Sequence, residues 1–101
     1  MRTIIKSTPI YPEQPLLRLN VTTDTNFFTV TNNDPMTPML WATVTNKKDP
    51  EYKIVNIHCT TCYEGRIMDD AHPLMFIGQV RYRDILYFIF EGASIPIIPK
   101  L

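Results

Sequence analysis

Apolar residues in this 101-residue chain fall into short runs, and each run ends at proline, asparagine, aspartate or another polar break. "RTIIK" opens the series, and "PLLRLNV" follows, framed by Pro12 and Pro15. "NFFTVTN", "MLWATVT" and "YKIVNIHC" come next, separated by the loop "NDPMTP" and the polar hinge "NKKDPE". "LMFIGQVRY" and "ILYFIFE" are joined at Arg83-Asp84, a connection that reads as a hairpin. These runs are rich in the β-branched and aromatic residues that suit a pleated, half-buried surface. Helical spacing is weak throughout, and the nine prolines fall between runs, where they punctuate strands. Only "EGRIMDDAH" offers a helical turn, and Gly65 with Asp69-Asp70 argues against even that one. The pattern predicts an all-β fold: a small single-domain barrel or sandwich of six or seven short antiparallel strands.

Alternation assigns faces. In "MLWATVT", Leu40, Ala42 and Val44 share one side, and Met39, Trp41 and Thr43 share the other. Trp41, the sole tryptophan, is expected to anchor the core. In "ILYFIFE", Leu86, Phe88 and Phe90 oppose Ile85, Tyr87 and Ile89, so both faces are apolar. That predicts a central strand, or one covered on both sides. A domain this small rarely covers both faces of a sheet with its own chain, so a homo-oligomer or a bound partner is expected. The domain is expected to span residues 1–92. A Pro/Ile-rich tail, 93–101, would pack on its own domain or on a neighbouring subunit. Pro96 and Pro99 bar the tail from a central strand, because proline donates no hydrogen bond to a ladder.

Composition narrows the functional classes. A content of 45% hydrophobic and 20% charged residues belongs to a globular chain with one modest core. Ten basic residues balance ten acidic ones, and the basic ones are scattered. The clustered Lys and Arg that neutralise phosphates are missing, so nucleic-acid binding is not expected. "MRTIIKST" lacks the pattern of a signal peptide, and the longest apolar run is broken by charges and prolines. The chain therefore reads as soluble and intracellular, with no membrane partner and with both cysteines reduced.

"IHCTTCYEG" is where the chain comes nearest to chemistry. His58, Cys59, Cys62 and His72 are four N and S ligands, the number a structural zinc requires. Cys59 and Cys62 form a fair half-site. The other half is poor, because His58 and Cys59 are strand neighbours whose side chains point to opposite faces. A reactive dithiol normally sits at a helix N-terminus, and none is predicted here. Cys59 therefore reads as a small buried hydrophobe ending its strand. Asp69 and Asp70 diverge on any regular backbone, no glycine-rich phosphate loop exists, and no nucleophile has an evident base. No catalytic residue, metal or cofactor is assigned. Tyr63, Arg66, His72, Arg81 and Arg83 are the candidate contacts for a partner or ligand, since tyrosine and arginine are favoured in interface hot spots.

Tyr11-Pro12, the strand Leu40-Trp41-Ala42-Thr43-Val44, the turn Asp49-Pro50-Glu51 and the paired segments Phe76-Ile77-Gly78-Gln79-Val80 and Phe88-Ile89-Phe90-Glu91 occur in that order. Over about residues 3 to 92 this succession resembles a small domain family of unknown function that is common in tailed bacteriophages. Where members of that family carry a glycine-rich loop with histidine, this chain has His58-Cys59-Thr60-Thr61-Cys62. The resemblance implies a phage accessory protein made in the host bacterial cytoplasm. It implies no enzymatic activity to carry over. The leading expectation is a non-enzymatic protein that binds a host defence component through protein-protein contact and inhibits or redirects it. The alternatives are an oligomeric sponge that sequesters a nucleotide-like signal, a minor virion component, and a zinc-stabilised module.

Overall fold

The computed structural model describes residues 2–32, 37–61 and 74–98. Seven strands follow in order: β1 (Arg2–Pro9), β2 (Leu16–Thr22), β3 (Asn26–Asn32), β4 (Pro38–Asn46), β5 (Tyr52–Thr61), β6 (Met75–Tyr82) and β7 (Ile85–Ile97). The expected all-β fold is present, with every pairing antiparallel. One sheet has the order β1-β4-β3 and the other the order β2-β5-β7-β6. The ladders do not close into a barrel; of the two expected architectures, the sandwich fits.

The core lies between the sheets and is built by alternation. Val55, Ile57 and Cys59 of β5, Tyr87 and Ile89 of β7, and Val80 and Tyr82 of β6 face inward from the larger sheet. Val30 and Leu40 meet them from the smaller one, and Ile10 caps this cluster from the connection after β1. Full burial of a side chain such as Ile57 or Ile89 is worth about 1.5–3 kcal/mol. As its two apolar faces predicted, β7 is central, between β5 and β6.

Residues 93–97 of the expected tail belong to the last strand. β7 runs on through residues 93–97, pairing with Tyr52–Val55 at one end of β5. β6 begins opposite Glu91, so this extension is an edge on its other side, where Pro96 is tolerated. Trp41 corrects the reading of the tryptophan as a core anchor. The buried positions of β4 are Pro38, Leu40 and Ala42, and Trp41 lies half-buried on the opposite face. Its indole N–H donates to Thr31 Oγ1 at 2.7 Å.

The hairpin at Arg83-Asp84 is confirmed by its backbone. Both residues have positive φ, 50° and 64°, the pattern of a two-residue turn whose twist matches its strands. The two sheets are joined unequally along their sides. On one side β3 lies against β6, and Gly78 leaves room for Val30, whose Cγ2 is only 2.9 Å from where a Cβ would stand. The edges on the other side, β1 and β2, do not pair with each other.

Candidate functional site

The adjacent pair His58-Cys59 separates as strand geometry requires. Cys59 points into the core, and burial alone pushes its thiol pKa up to about 11. A thiol held protonated in this way is neither a ready nucleophile nor a ready metal ligand. His58 points the other way, onto the outer face of the four-stranded sheet, where it lies opposite Phe90 of β7. The two side chains therefore cannot hold one ion between them. Among the described residues, no group of three His, Cys, Asp or Glu side chains is placed to bind a metal. Cys62, Tyr63, Arg66 and His72 lie outside the described residues.

Register turns the outer face into something a one-dimensional reading could not show. Leu16 of β2 pairs with His58 of β5, His58 with Phe90 of β7, and Phe90 with Phe76 of β6. Residues directly opposite one another share a face, so these four form one row across all four strands. The Phe76 and Phe90 rings meet edge to face at 5.4 Å, and Phe88 tilts against Phe76 at 6.2 Å. These are favourable geometries, worth about 0.5–1.5 kcal/mol beyond area burial.

The row is apolar and open at both ends. Phe76 is 58% exposed and Leu16 41% exposed. His58 sits over Gly92, where a Cβ would come within 2.6 Å of its Nε2, so the glycine makes room for the imidazole. Gly92 coincides with a register shift in β7 between Val55 and Ile57 of β5. In the adjacent row Thr60 pairs with Phe88; Thr60 is buried, and its Oγ1 has no hydrogen-bond partner. Beyond the irregularity, Ile95 and Ile97 pair with Ile54 and Tyr52. Ile95, Ile97 and Tyr52 are all exposed, which extends the apolar surface along the sheet.

Of the two candidate arginines among the described residues, Arg81 shares this face, paired with Leu86 of β7, and Arg83 flanks it. Arg81 is exposed on β6, and its main chain is held by Asn32. Arg83 occupies the turn, 3.4 Å from Glu13 and stacked over the Tyr82 ring at 5.2 Å. An exposed pair of this kind contributes little to stability. The sequence reading missed Phe76 and Phe88 as surface residues. The signal that could have found them was the second apolar face of β7.

Polar side chains gather elsewhere, at the turn between β2 and β3. Thr22 Oγ1 donates to Asp24 Oδ1 at 2.8 Å, and Lys47 lies 3.6 Å from Oδ2. The Thr22 hydrogen bond, with lesser help from Thr45 and Lys47, holds the Asp24 carboxyl below its ordinary value. On β7, burial pushes Glu91 above the ordinary carboxylate value, with Lys53 opposing the shift. Set against known proteins, the chain matches no family model, no curated protein and no solved structure.

Proposed function

We propose that this chain is a non-enzymatic binding module that engages a protein partner through the outer face of its four-stranded sheet. The observation that carries the reading is the row Leu16–His58–Phe90–Phe76, an apolar strip spanning the sheet with exposed ends. Contiguous exposed apolar surface is the usual mark of an interaction site, and a rigid aromatic cluster offers contact area at low entropic cost. The buried, protonated Cys59 adds nothing that would favour a catalytic reading. Taken with the resemblance to a phage accessory domain, the partner is a host bacterial protein whose activity is inhibited or redirected.

The test pairs affinity capture with a surface variant. Tagged wild-type chain and Phe76→Asp are used to capture proteins from host lysate, with folding of both checked by circular dichroism. A host protein retained by the wild type and lost with Phe76→Asp, then reconstituted from purified components, supports the reading. Capture of the same protein by both chains, or of none by either, overturns it.

A further inference from the structure

The side of the sandwich between β1 and β2 holds a cleft of about 350 Å³. This lies within the range of small-molecule sites, about 300–1,000 Å³. Its apolar wall comes from both sheets: Leu19 and Val21 on β2, Phe27 on β3, and Leu40, Ala42 and Val44 on β4. The cleft exists because only one side of the sandwich is stitched. β3 and β6 are held together there by Asn32 and the close approach at Gly78, whereas β1 and β2 end their sheets unpaired.

One charged residue lines this cleft. Lys6 on β1 pairs with Ala42 on β4, so its side chain leaves the backbone on the inner, cleft-facing side. Among the described residues the ion pairs are Lys47–Asp24 and Arg83–Glu13, and neither involves Lys6. An inward lysine on an edge strand discourages pairing with another strand. The same placement leaves a cation at the mouth of an apolar cavity with no carboxylate beside it.

The cleft also has a side that would repel an anion. Thr22 and Thr25 line it, with their hydroxyls 2.9 Å apart. Thr22 spends its proton on the Asp24 carboxylate, so Thr25 must donate to Thr22. Both hydroxyls then present only lone pairs, backed by the negative charge of Asp24. An anionic group is favoured at Lys6 and disfavoured beside these threonines.

We propose that this cleft binds a single-chain amphiphile with a carboxylate head. The carboxylate meets Lys6, and the hydrocarbon lies against Leu19, Val21, Phe27 and Ala42. At roughly 30 Å³ per heavy atom, the share of a packed water, the volume takes about a dozen heavy atoms. Decanoate has that size. The site is within one subunit, opens between the two sheets, and meets the outer apolar face of the larger sheet at Tyr52.

The experiment is a methyl NMR titration of the full chain with decanoate below its micelle concentration, and with decanol as the uncharged counterpart. Saturable shifts of the Leu19, Val21, Ala42 and Val44 methyls are expected with decanoate. Lys6→Met, at an exposed position that should not disturb folding, should weaken decanoate about threefold to tenfold and leave decanol unchanged. The proposal is overturned if these methyls do not respond, if Lys6→Met binds decanoate as tightly as the wild type, or if the shifts fall on Leu16 and its neighbours instead.

Discussion

The side-chain amide of Asn32, the last residue of β3, closes two hydrogen bonds on the main chain of Arg81 in β6. Its Nδ2 donates to the Arg81 carbonyl at 2.8 Å, and its Oδ1 accepts from the Arg81 N–H at 3.2 Å. The amide thus occupies the free edge of β6 much as a neighbouring peptide would. It joins two strands that belong to different sheets. Asn32→Ala should lower stability by about 1–2 kcal/mol, less than two full hydrogen bonds would suggest because water can reach this exposed seam. Urea unfolding reads the change, and a loss below about 0.3 kcal/mol would show that the seam is held by packing alone.

Gly78 makes the same seam close-packed. A methyl added there meets Val30 Cγ2 at 2.9 Å in the core, where the neighbours have little freedom to yield. Gly78→Ala should cost about 1–3 kcal/mol despite the usual strand preference for alanine over glycine. The double change Gly78→Ala with Val30→Ala should recover part of that loss relative to Val30→Ala alone. Thermal unfolding of the four proteins checks the cycle, and strict additivity would rule out the proposed contact.

The turn at Arg83-Asp84 places two side-chain-bearing residues at positive φ. Left-handed backbone costs L-residues roughly 1–2 kcal/mol, and asparagine followed by glycine fits this turn without that penalty. Arg83→Asn combined with Asp84→Gly should therefore stabilise the hairpin by about 1 kcal/mol. The lost contact with Glu13 is exposed and subtracts little. A higher midpoint in chemical denaturation is the expected result; a lower one would mean that Arg83 contributes more through Tyr82 than its exposure indicates.

Cys59 predicts an alkaline limb. Burial raises its pKa from 9.0 to about 11 in the folded chain, so the fold favours the protonated thiol. Stability from this group is complete below the unfolded value and is lost as pH rises from about 9 through about 11. The informative quantity is the stability difference between the wild type and Cys59→Ala. That difference should shrink across the window, and a flat difference would contradict the burial argument. The same burial should make Cys59 slow to react with a thiol reagent at neutral pH.

Much of the fold was legible in the residues themselves. Short β-branched and aromatic runs set between proline and polar breaks mark all seven strands, because those side chains suit a pleated, half-buried surface. The two apolar faces of β7 foretell its central place, and the separation of His58 from Cys59 follows from pleat geometry alone. The hairpin between β6 and β7 was readable because its partners are adjacent in sequence.

What the chain could not disclose locally was decided by pairing between distant segments. Alternation divides Leu40 from Trp41 but does not say which set faces the core; the packing of the two sheets settles that for Leu40. The order β2-β5-β7-β6 brings Leu16, His58, Phe90 and Phe76 into one row, although they are scattered from one end of the chain to the other. The cleft likewise exists only because Asn32 and Gly78 fasten one side of the sandwich while β1 and β2 stay apart. Sequence by itself determined which residues can form strands and which share a face, since both depend on steric preferences and a two-residue period. Tertiary structure alone decided which faces meet, which edges stay open and which distant side chains become neighbours, because register is set by core packing across the whole domain.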